Sequence, residues 1–260
     1  MAEFAKEFPR RFINVGVAEQ LMIGMAAGLA LKGLRPFCYT IATFALYRPF
    51  EFVRDDLAYQ KLPVTVVGMG AGLQYSSLGG THQAIEDVAI ASAIPGMQVL
   101  APCDPLETEE CVRWCAAQQN GPVYLRLGKA GEPNLTADSA PWEFCKPRIL
   151  SRRVGLDQWY RILTYGPIAS LALKVGEILD RTVVNFPTLK PMAWKPRLDS
   201  RREQRDIVIE EHVRSGGLGE KLGLPSFCLK DKFIHFHGSR EQLLELHGLT
   251  VKAIVDNLRH

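Results

Sequence analysis

The chain has 260 residues, long enough for one large domain or two of ordinary size. Apolar residues make up 47% and charged residues 23%, which excludes gross disorder. With 31 basic and 28 acidic residues the formal charge is only +3, and a balance that slight supports neither a nucleic-acid nor a membrane partner. Charged residues open the N-terminus and no apolar signal segment follows. Short apolar runs then predict buried parallel strands at Phe12–Val15, Phe37–Ile41, Val64–Met69, Gln98–Ala101 and Val123–Leu127. Helical segments separate them. Val17–Leu31 is rich in alanine and glycine, and its apolar run from Leu21 is too short to span a bilayer. Thr43–Gln60 is amphipathic, with Pro49 marking a late start or a kink. Gln83–Ala93 follows Thr81, a candidate cap. Asp104-Pro105-Leu106-Glu107 is a strong start signal for a helix running to about Gln119.

The alternation pauses over residues 129–148, which hold Gly131, Pro133, Pro141 and Pro147. It resumes with strands at Arg161–Tyr165, Thr182–Phe186, Asp206–Glu210 and Phe233–Phe236 and a helix at Ile168–Leu179. Ser239-Arg240-Glu241-Gln242 is a capping-box pattern, and Thr250 opens the last helix. The fold class is therefore α/β, with two domains, each a mostly parallel sheet flanked by helices. The boundaries are 1–130, a linker at 131–152, and 153–260. Arg197–Arg205 is arginine-rich and reads as a solvated loop. Six scattered cysteines show neither CxxC nor zinc spacing, as expected of reduced thiols in a cytoplasm.

Several residues stand where chemistry is done. Glu19 falls in the first turn of a helix beside the carboxyl end of a predicted strand, where open α/β sheets bind ligands. On position alone the plainer reading, a carboxylate favoured by the helix dipole, is the stronger one. In Gly79-Gly80-Thr81-His82-Gln83 the glycines permit close approach of a ligand and His82 can shuttle a proton; a capping Thr81 with a surface His82 is the plainer alternative. Phe44, Tyr47 and Phe50 recur every third residue, as core or as a wall for a flat aromatic ligand. His235 and His237 share one face of a predicted strand without a third ligand, so a metal site in this chain is not expected.

Together these residues resemble the C-terminal half of the transketolase family. Arg11-Phe12-Ile13-Asn14-Val15-Gly16-Val17-Ala18-Glu19-Gln20 is similar to the segment of its pyrimidine-binding domain that carries the catalytic glutamate. Ala42-Thr43-Phe44, Gly80-Thr81-His82-Gln83, Glu86-Asp87, Ala101-Pro102 and Gly121-Pro122-Val123-Tyr124-Leu125-Arg126 follow in the family's order. Thr164-Tyr165-Gly166, Pro187-Thr188-Leu189-Lys190-Pro191, Glu210-Glu211-His212 and Gly216-Gly217-Leu218-Gly219 resemble the family's C-terminal domain.

The resemblance implies thiamine diphosphate as cofactor, with Mg2+ or Ca2+. It implies a catalytic, cofactor-binding Glu19 against the aminopyrimidine, an aromatic wall of Phe44, Tyr47 and Phe50, a catalytic His82 facing the substrate, and Arg126 on a substrate phosphate. No Gly-Asp-Gly occurs in the chain, so the metal ligands and diphosphate site are expected on a partner. The implied protein is the small subunit of a split transketolase. It moves a two-carbon ketol group between sugars in a dimer or heterotetramer with a diphosphate-domain subunit. A 1-deoxyxylulose-5-phosphate synthase, a 2-oxo acid dehydrogenase β subunit and a non-catalytic paralogue are the alternatives. Three departures stand out: the pyrimidine domain is N-terminally shortened, Leu78 replaces a hydroxyl-reading aspartate, and Gly70 replaces a phosphate-contacting histidine.

Overall fold

A computed structural model describes residues 2–153, 160–194 and 206–259. The arginine-rich run 197–205 lies outside the described residues. Two five-stranded sheets form the frame. The first has the order β1-β2-β4-β3-β8: β1 is Phe37–Ile41, β2 Thr65–Met69, β3 Gln98–Leu100, β4 Val123–Arg126 and β8 Thr188–Lys190. The second has the order β10-β9-β6-β7-β5: β5 is Arg148–Ser151, β6 Ile162–Thr164, β7 Val183–Asn185, β9 Ile207–Val213 and β10 Ser226–Leu229. All pairings are parallel except β3 with β8 and β5 with β7. The strands are short and nearly all apolar, as expected where helices cover both faces. β8 joins the first sheet from the second half of the chain, a link that the alternation of periods does not reveal.

The helices are α1 (Ala2–Glu7), α2 (Glu19–Leu31), α3 (Ala42–Leu46), α4 (Phe50–Phe52), α5 (Asp87–Ala93), α6 (Pro105–Ala117), α7 (Ala169–Ile178), α8 (Leu218–Leu222), α9 (Arg240–His247) and α10 (Val251–Arg259). Helix α6 starts as its sequence dictates. Asp104 Oδ1 accepts from Glu107 N at 2.7 Å, a cap worth about 1 kcal/mol. The same carboxylate takes the N–H groups of Leu135 and Thr136 through Oδ2, so the cap also fastens the connecting segment. Buried Glu107 accepts from Arg148 and Asn185, tying α6 to the second sheet. The Ser239 capping box forms at α9. All six cysteines are free.

Several expectations are corrected. Phe12–Val15 is not a strand: Asn14 Oδ1 accepts from Gly16 N at 2.9 Å, and Gly16 has φ of +72°. That local turn competes with a ladder and redirects the chain into α2. Thr43–Gln60 is broken into α3, α4 and a π-helical segment, Val53–Tyr59, because Pro49 has no N–H to continue the first helix. Thr81 does not cap a helix: Gly80–His82 is one 3-10 turn, and α5 begins only at Asp87. Phe233–Phe236 is not a strand either, since only Ile234 of its residues is buried. His235 and His237 therefore sit on a loop, where His237 Nδ1 lies 3.2 Å from Ser77 O.

Helix α2 buries Ile23, Ala26, Ala27 and Ala30. Its other side is apolar as well: Val17 just ahead of it is 89% exposed, and Leu21, Gly28 and Leu31 are exposed too. Exposed Phe37 and Tyr39 lie on β1, the edge strand of the first sheet.

Candidate active site

The site lies where segments following the parallel strands of the first sheet converge, the end at which such sheets bind ligands. Glu19 opens α2 and its side chain is only 8% exposed. Arg48 donates from Nη1 to Glu19 Oε2 at 2.8 Å. The Arg48 guanidinium carbon also sits 4.5 Å from the centroid of the Phe44 ring. Phe44 meets the His82 ring edge-on at 5.1 Å, and His82 meets Tyr75 at 6.3 Å. Lys129 Nζ closes the series 5.2 Å from the Tyr75 centroid. A carboxylate, two cations and three rings thus form one continuous row.

Thr81 Oγ1 is 2.9 Å from His82 Nδ1, leaving Nε2 as the nitrogen available to a substrate. Tyr47 stands behind the row, packed against Ala42, Ala71 and Ala84. Its buried hydroxyl has no hydrogen-bond partner among the described residues, and burial raises its pKa, with the charges of Asp87 and Glu86 adding to the effect. Burial also pushes the Glu86 carboxyl above the usual carboxylate range. Phe50 packs against the main core rather than into the row.

Arg126, expected on a substrate phosphate, is in a different setting. It is 2% exposed and its Nε lies 2.9 Å from Asp87 Oδ2, within a pair that is buried on both sides. Nη2 donates to Glu211 O at 3.0 Å, and the guanidinium carbon is 5.6 Å from the Tyr165 ring. Asp87 also accepts from Tyr124 Oη at 2.8 Å, and a Cβ at Gly68 would strike that tyrosine ring. Arg126 thus joins the two halves of the chain through Nε and Nη2.

Sequence reading missed Arg48, Tyr75 and Lys129. The signal for Lys129 is its place just beyond the carboxyl end of β4, the strand that carries Arg126. The Tyr75 ring lies across Gly70, where a Cβ would approach it to 2.1 Å, so no side chain fits at position 70 as the loop stands. A cleft of about 410 Å3 lined by Thr81, Ile234, His235 and His237 opens beside the loop but includes none of Glu19, Phe44 and Arg48. Among the described residues no group of three or more His, Cys, Asp or Glu side chains could hold a metal ion. No described helix is long and apolar enough to cross a membrane.

Two mostly parallel sheets flanked by helices, with a buried carboxylate at a helix start joined to an aromatic row, define an α/β protein with a candidate site on its first sheet. The chain belongs to the transketolase family: residues 1–132 match the family described as "Transketolase, pyrimidine binding domain". It corresponds to the family's C-terminal half. It is 35% identical to a putative transketolase C-terminal section of Methanocaldococcus jannaschii, over 99% of this chain and 84% of that one. It is 33% identical to one of the subunits of an apulose-4-phosphate transketolase of Phocaeicola vulgatus, over 84% of this chain and 71% of the relative. A 1-deoxy-D-xylulose-5-phosphate synthase of Clostridium perfringens is 31% identical over 99% of this chain, which spans only 44% of that enzyme. Among solved structures, a split-gene transketolase described as an inactive β4 tetramer superposes with a TM-score of 0.83 at 32% identity, covering all of this chain and 86% of the other.

Proposed function

We propose that this chain is the pyrimidine-side subunit of a split transketolase that moves a two-carbon ketol group between sugars. The observation that carries the reading is the buried carboxylate of Glu19, joined through Arg48 to the Phe44 ring, which His82 meets edge-on. These residues fit one end of thiamine diphosphate. The donor set is a desolvated carboxyl group for a ring nitrogen and an aromatic face for the ring. The buried Thr43 Oγ1 and Gln83 Nε2 have no hydrogen-bond partner among the described residues. When bound, the cofactor supplies a nucleophilic carbon that carries the transferred unit.

In this reading Glu19 holds and shares a proton at its carboxyl oxygen, where burial keeps water from competing. Phe44 orients the ring by offset stacking, with Tyr47 buttressing the loop behind it. His82 exchanges a proton with the substrate through Nε2. Lys129, an exposed cation at the Tyr75 end of the row, attracts an anionic substrate. The diphosphate and its Mg2+ or Ca2+ belong to a partner that carries the diphosphate domain, which the absence of Gly-Asp-Gly in this chain favours. In a two-carbon transfer assay with a ketose phosphate, an aldose phosphate, cofactor and magnesium, the mixture of both subunits is expected to turn over and this chain alone to be silent. A mixture as inactive as either part contradicts the reading. The likeness to the synthase supports a second reading; product analysis separates them, since that chemistry yields a 1-deoxy sugar.

The uncovered apolar side of α2 is the natural interface of the assembly, because a helix apolar all round belongs in an interior. Burial of roughly 1,000 Å2 or more at such a contact gives a stable dimer or heterotetramer. Light scattering is expected to give a mass above the monomer. A monomeric mass both alone and with the partner contradicts this.

A further inference from the structure

Arg48 contacts both surfaces that the proposed function reserves for the aminopyrimidine. Its Nη1 donates to Glu19 at 2.8 Å while its guanidinium carbon stands 4.5 Å from the Phe44 centroid. A guanidinium and an aminopyrimidine are alike in the features that matter here: each is planar, each presents N–H donors at its edge, and each lies against an aromatic face. Arg48 takes the Oε2 oxygen of Glu19 and covers part of the Phe44 ring, so a ring that used that oxygen and that surface would have to displace it. The two partners differ in mobility. The Glu19 side chain is 8% exposed and opens α2, so it is fixed. The Arg48 side chain is 39% exposed and sits in the turn between α3 and α4, so it has a route into water. A buried carboxylate left alone is costly, whereas one paired with a withdrawable cation is not.

We infer that Arg48 is a placeholder for the pyrimidine ring: it pairs with Glu19 and covers Phe44 until the cofactor arrives, then withdraws. It is a positioning residue that acts through Glu19 and Phe44. The inference rests on the cofactor reading given above. Affinity for the cofactor is then reduced by the fraction of molecules in which Arg48 still holds the site.

The test is a calorimetric titration of thiamine diphosphate with magnesium into the complex of the full chain and its diphosphate-domain partner. Arg48→Met keeps the apolar stem and removes the planar cation. It is expected to bind the cofactor about five- to tenfold more tightly than wild type, as follows from losing one part-exposed ion pair and one cation–π contact. In a Glu19→Gln background the same substitution is expected to have a smaller effect, about two- to threefold, because the ion pair is already gone and only the cation–π contact is left to lose. A readout on the wild type needs no variant: the Arg48 Nε–H signal in a proton–nitrogen spectrum should move when cofactor is added. Unchanged or weaker binding by Arg48→Met, or an Arg48 signal indifferent to bound cofactor, overturns the placeholder and leaves the cofactor reading standing. Absence of binding by every variant overturns both.

Discussion

Replacing Glu19 with alanine is expected to slow proton loss from the cofactor's reactive carbon by about 10²- to 10⁴-fold, the usual cost of deleting a positioned acid or base. The fold should survive the change. The first turn of α2 loses a dipole-favourable charge worth roughly 0.3–1 kcal/mol. The ion pair to Arg48, whose side chain is 39% exposed, contributes little more than about 1 kcal/mol after solvent screening. Hydrogen–deuterium exchange at that carbon, followed in the complex of the two subunits, reads the effect directly. An unchanged exchange rate removes Glu19 from the mechanism, whatever happens to turnover.

Replacing Asp87 with alanine should instead cost stability, by about 3–5 kcal/mol. The carboxylate is fully buried and takes both Arg126 Nε and Tyr124 Oη. Without it a guanidinium that is 2% exposed loses its only carboxylate partner within the described residues, while its bond to Glu211 O remains. For a chain of this size such a loss lowers the melting temperature by roughly 6–20 °C. A shift of a degree or two would show that Arg126 carries no structural charge, and would return it to the list of substrate residues. Because Arg126 links β4 to β9, the effect should also appear as loosened packing between the two sheets.

The parts legible in the sequence are those fixed by local chemistry. Helix α6 is written in Asp104-Pro105-Leu106-Glu107, each residue satisfying a need of the first turn. Strands β2, β3 and β4 are legible as short, largely apolar runs, because burial on both faces removes any alternation. Glu19 is legible by position only as a carboxylate at a helix start; a role in a site comes from the family resemblance. What fails depends on partners distant in sequence. Phe12–Val15 has strand composition but Asn14 offers its backbone a turn. β8 is three residues long and needs β3, nearly ninety positions earlier, to be a strand at all. Arg126 suits an anion by residue type; only the fold shows that Asp87 is that anion. Arg48 becomes part of the site through a contact with a residue 29 positions away, which no local pattern records.

The proposed cofactor site is one that this chain completes only in company. Calorimetric titration of thiamine diphosphate and magnesium, into this chain alone and then into its mixture with a diphosphate-domain subunit, tests that most directly. The expected result is no measurable binding by the chain alone and saturable binding by the mixture, weakened by Glu19→Ala. Micromolar binding to the isolated chain, or a mixture that binds no better than the chain alone, would contradict it.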